Sequence, residues 1–120
     1  MSARTVTVAT VDQGDVTIPE PSWCLGDHQA TRYREDIQHL GADLVLTVPA
    51  DGDVVPVFTA AVVQRPFSPT DPRTLVQVEV DEWRGFDSPG LDVLAAALVE
   101  HAATLRRLAR ELTVLQEVDR

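Results

Sequence analysis

Residues 87–115, DSPGLDVLAAALVEHAATLRRLARELTVL, place leucine at 91, 94, 98, 105, 108, 112 and 115. These positions repeat at helical spacing, as the a and d sites of a heptad, and His101 is the one polar residue in the seam. Asp87-Ser88-Pro89 offers a cap followed by proline in the first turn, and Asp92 lies where the helix dipole favours an anion. The pattern predicts a long C-terminal helix, with Ala95, Ala97, Ala102 and Ala109 flanking the seam and allowing close approach. Some 28 helical residues rise about 42 Å, whereas a strand of six or seven residues covers only about 20 to 23 Å. The helix is therefore expected to outrun its sheet and to leave Leu108, Leu112 and Leu115 seeking cover. Burying a leucine is worth roughly 1.5 to 3 kcal/mol, so pairing with the same helix of a second copy is expected; a helix that bends or frays after Arg110 is the monomeric alternative.

Upstream of the helix the period changes from helical to two. Leu75–Asp81 alternates Val76, Val78 and Val80 with Gln77, Glu79 and Asp81, the signature of a strand with one face covered. Residues 4–11 read as another strand, 43–48 as a third, and 54–65 as a fourth that bends at Pro56. The Asp51-Gly52 pair within 50–53 suits a tight hairpin turn. The stretch 12–22, with Gly14, Pro19 and Pro21, is expected to be loop, and so is the proline-rich 66–72. Residues 33–39 read as a short strand with Tyr33, Glu35, Ile37 and His39 on one face. Trp83 and Phe86 are expected to cap the core under the helix. Together these predict an α+β domain, a mainly antiparallel sheet of four to five strands packed by one long helix. Along 1–120 this single domain divides into an N-terminal strand and loop (1–22), a metal-binding segment (23–42), the sheet (43–86) and the helix (87–118).

Composition narrows the function. Nineteen acidic residues against ten basic ones give a formal charge of -9, which disfavours direct nucleic-acid binding. No apolar run reaches the length of a bilayer span, and 1–5 lead into alternating Val and Thr with no signal-peptide core. A cytoplasmic location is expected, consistent with a single cysteine. All ten basic residues are arginine and none is lysine, as GC-rich codons would produce.

That one cysteine lies in Trp23-Cys24-Leu25-Gly26-Asp27-His28, and His39 follows within sixteen residues of it. Zn²⁺ favours tetrahedral N and S ligands, so Cys24, His28 and His39 are candidate ligands, with Gly26 freeing the backbone to fold Cys24 and His28 together. Asp36 is the candidate fourth ligand if 36–39 turns helically. His101 is the other protein candidate, since coordination would satisfy a polar group in the seam; water in that position would make the site catalytic.

The run 14–24, then His28, then Asp36-Ile37-Gln38-His39, together with the helix segment 91–98, resembles a family of small actinobacterial proteins of unknown function. The resemblance covers most of the chain and implies a metal site at the Trp-Cys…His…His segment, but no activity.

No phosphate-binding loop, dinucleotide fingerprint or H-E-x-x-H motif is present. A Cys24–histidine nucleophile pair lacks an oxyanion feature beside it. The expected function is a non-enzymatic interaction or regulatory module with structural zinc, paired through its helix and engaging a protein partner. Two alternatives stand beside it. One is a metal-dependent hydrolase using Cys24, His28, His39 and a water, with Asp36 or Glu35 as base. The other is an acidic decoy that presents Glu79, Asp81 and Glu82 to a basic protein. Arg106, Arg107 and Arg110 form a small basic face, either merely solvated or a dock for an acidic partner.

Overall fold

The computed structural model describes residues 4–50, 52–80 and 85–118. Asp51, Asp81, Glu82 and Trp83, to which the sequence assigns turn, decoy and core-capping roles, lie outside the described residues. The element order is β1 (Thr5–Thr10), β2 (Gly14–Pro19), a single 3-10 turn at Arg34–Asp36, β3 (His39–Leu40), β4 (Leu44–Ala50), β5 (Asp53–Gln64), β6 (Leu75–Val80) and α1 (Ser88–Val118). All strand pairs are antiparallel, and the arrangement is α+β.

The strands form two sheets rather than one. β1 and β2 make a separate hairpin in register from Thr5↔Pro19 to Thr10↔Gly14, so 14–19 is strand where loop was expected. Gly14 takes the positive φ of 66° that closes the turn. Pro19 sits in the last pair, at a strand end where a missing N–H does not break the ladder. The flanking prolines therefore bound a strand instead of excluding one. Val8 and Ile18 pack with buried Ile37 into a small core that also touches Phe67.

In the larger sheet β5 is the centre. β6 pairs with 58–63 on one side, while β4 (against 53–60) and β3 (against 63–64) share the other. Gly41 continues that shared edge by donating to the Val62 carbonyl at 2.8 Å. The register shifts between Leu46, opposite Phe58, and Thr47, opposite Pro56. Val57 is thus the extra residue of a bulge beside the proline, the bend expected at Pro56.

The expected strand at 33–39 forms only at its end. Residues 34–36 coil into the 3-10 turn, and His39–Leu40 alone pairs with β5. β6 forms where expected, but its burial does not alternate: Leu75 and Val76 are half-buried, every residue from Gln77 to Val80 is exposed, and α1 touches the strand little. Val78 and Val80 remain 49% and 69% exposed, because β6 lies at the sheet edge away from the helix axis.

The helix begins as its sequence implies. Asp87 accepts from the Gly90 N–H through its side chain (2.9 Å) and from the Leu91 N–H through its carbonyl (2.9 Å). Its 31 residues rise about 46 Å, and the twelve residues of β5 extend about 40 Å. The helix packs chiefly on β4, and its C-terminal turns face the hairpin end and the β5–β6 loop, so the expectation of uncovered C-terminal leucines is corrected. Leu108 is buried, Leu112 and Leu115 are half-buried, and Gln116 donates to the Thr74 carbonyl. The uncovered leucines lie at the other end: Leu91 and Leu98 are 54% and 46% exposed. No helix among the described residues is long and apolar enough to cross a membrane.

Candidate metal centre

Between the hairpin and the larger sheet runs the irregular segment 20–38, and it is tied down at several points. Glu20 follows β2 directly, its N–H donating to the Arg4 carbonyl at 2.7 Å. Pro21 accepts from the Cys24 N–H to make a turn, and the Arg4 guanidinium donates to the carbonyls of Pro21 and Cys24. Leu25 N–H then reaches the Leu40 carbonyl, which sets Cys24 beside β3. Gly26, at φ 86°, lets His28 N–H turn back onto the Gly26 carbonyl. His39 is placed by strand pairing opposite Gln64.

These constraints converge four side chains. His28 Nε2 donates to the Glu20 carboxylate, 2.9 Å from each oxygen, and His39 Nδ1 donates to Oε1 at 2.7 Å. Cys24 Sγ lies 3.6 Å from His28 Nε2. One donor atom from each of Glu20, Cys24, His28 and His39 falls within 4.8 Å of every other. In a tetrahedral zinc shell with bonds of about 2.0–2.3 Å, neighbouring donors are about 3.3–3.8 Å apart. The hydrogen-bonded pairs, at 2.7–2.9 Å, are closer than that and the outer limit of 4.8 Å is wider, so the side chains would shift to share one ion, and their S, N, N and O set is one zinc accepts. The two imidazole rings stand nearly perpendicular, with centroids 5.4 Å apart, and the Trp23 ring meets His39 edge-on.

Burial shapes the proton chemistry. It pushes the Glu20 carboxyl up, but hydrogen bonds from Cys24 and the two histidines, with the charge of His28, together hold it below the usual carboxylate range. Burial, reinforced by the neighbouring carboxylate, pushes the Cys24 thiol up. Burial likewise depresses His39, more than Glu20 can restore. A buried carboxylate and thiol held among imidazoles is a costly arrangement without a cation to share.

The cysteine and both nearby histidines lie where the sequence grouped them. Asp36 does not join them: it is exposed on the 3-10 turn, and Glu20 supplies the carboxylate instead. His101 lies elsewhere, buried on the sheet-facing side of α1 with its ring 4.8 Å from that of Phe58 in β5 and its Nε2 without a hydrogen-bond partner. Glu35 is also exposed. Glu20 escaped sequence reasoning because it stands between two prolines in a presumed loop. The signal that finds it is the even spacing Glu20-x3-Cys24-x3-His28.

An antiparallel α+β domain carrying a buried Glu-Cys-His-His cluster is the class that fold and site define. A family model matches residues 5–114, and the chain belongs to that family, described as Domain of unknown function (DUF6907). No curated protein and no solved structure matches the chain.

Proposed function

We propose that this chain is a non-enzymatic interaction or regulatory module in which Glu20, Cys24, His28 and His39 hold one structural zinc ion. The observation that carries this is the convergence of those four donor atoms within 4.8 Å at the junction of hairpin and sheet. An ion there would staple a small core, adding its binding energy to folding. Four protein donors fill a tetrahedral shell and leave no position for the metal-bound water a hydrolase needs. A second copy of the chain covering Leu91 and Leu98 completes the proposal, with the paired helices presenting a surface to a protein partner.

Elemental analysis of tag-free protein, combined with its mass in solution, tests both parts. One zinc per chain and twice the 13.1 kDa chain mass are expected. Cys24→Ser with His28→Ala should lose the zinc, and Leu98→Glu should give a zinc-loaded monomer. Chains that take up no zinc on refolding with it, or a double variant that keeps it, refute the metal site. A wild-type monomer refutes the pairing.

A further inference from the structure

Under the last turns of α1, on the flank of the Glu20–His39 pair, lies a cavity of about 550 Å³. Ile18 comes from the hairpin, Trp23 from the connecting segment, Phe67 from the β5–β6 loop and Leu115 from the helix, and together they wall it; Glu20 and His39 reach it from one side. Gln64, opposite His39 in the strand register, extends that polar side. Cys24 and His28 border a different hollow of only about 90 Å³, so the cluster forms the partition between the two.

The larger space has the proportions of a small-molecule site. Such sites measure about 300–1,000 Å³, are mostly apolar, and orient their ligand with a few polar groups. A carboxylate at one side and a chain charge of -9 set the sign of what can enter. We propose that this cavity binds a small, largely apolar molecule that carries no negative charge and ends in one hydrogen-bond donor. The apolar body contacts Trp23, Phe67 and Leu115, and the donor meets the Glu20 carboxylate. This site goes beyond the structural zinc: its apolar walls and the negative charge of the chain are common to the metal-free and metal-bound forms.

Two dyes with one aromatic skeleton test it. N-phenyl-1-naphthylamine is uncharged, with a single N–H; 1-anilinonaphthalene-8-sulfonate adds only a sulfonate. Fluorescence titration of the full chain, with zinc content measured on the same samples, should give one saturable site for the neutral dye. The sulfonate should bind at least tenfold more weakly. Leu115→Trp fills the cavity and Val118→Trp narrows its rim from an exposed position; either should weaken the neutral dye at least tenfold with zinc content unchanged. Leu98→Glu should leave it unaffected. Absence of a saturable site, equal binding of both dyes, retention by both tryptophan variants, or loss in Leu98→Glu would overturn the proposal. Dye binding to protein that takes up no zinc would support the cavity while ending the metal reading.

Discussion

Replacing His101 by leucine is expected to stabilise the fold, and the magnitude follows from its surroundings. The side chain is 8% exposed and its Nε2 is buried without a partner, a loss worth about 1–3 kcal/mol for a polar group taken out of water. Leucine removes that cost and keeps most of the volume, but forfeits the edge-to-face contact with Phe58, worth about 0.5–1.5 kcal/mol. The difference is a gain of about 1 kcal/mol. Unfolding entropy near 2.1 cal/mol/K per residue gives about 0.25 kcal/mol/K for a chain of 120 residues, so Tm should rise by about 4 °C. Thermal melts at pH 7.5 read the shift directly, with His101→Gln as the control that keeps a polar group and should gain nothing. A leucine variant that melts lower than the parent, or a glutamine variant that gains as much, would show that the imidazole is satisfied after all.

Three further outcomes follow from the cluster. Metal-free protein should be most stable between about pH 6.5 and 9, read by denaturant midpoints across pH. Below the ordinary histidine value of 6.5 the unfolded chain protonates His39 more readily than the fold does. Further acidification withdraws the contribution of Glu20, whose carboxyl is held low. Above 9.0 the unfolded chain releases the Cys24 proton first, so stability falls on that side too. Zinc binding at pH 7.5 should expel the Cys24 proton, which calorimetry in buffers of different ionisation enthalpy detects; no buffer dependence would exclude the thiolate as a ligand. Gly26→Ala places a Cβ at φ 86° and should cost about 1 kcal/mol, seen as roughly fivefold weaker zinc binding in a competition titration against a chelating dye.

The helix was legible because its leucines and Asp87 cap act locally, and β6 because alternation needs no partner to be recognised. What the sequence concealed depends on distance in space. The hairpin strand at 14–19 hides behind prolines that look like loop until Thr5–Thr10 is placed beside it. The run of β5 is interrupted in sequence by Pro56 and continued in space by a bulge, and the cover of the C-terminal leucines comes from the hairpin end and the β5–β6 loop, which are distant along the chain. At the cluster, Cys24, His28 and His39 announce themselves by residue type. Glu20 does not, since acids are common and only the folded hairpin end brings this one inward. Asp36 lies nearer along the chain, but one 3-10 turn sends it to solvent.

Glu20 is joined to the last paired residue of β2, and Pro21 follows it, so its position is inherited from how the hairpin is zipped. Slipping β2 by two residues against β1 would keep Val16 and Ile18 facing inward, yet it would carry Glu20 about 7 Å along the strand, out of reach of both imidazoles. Pairing fidelity in a remote ribbon is therefore metered at the cation site. Substitutions such as Thr7→Val or Thr17→Val, which break the 2.7 Å hydroxyl contact holding the two strands in step, would be transmitted there without touching a ligand.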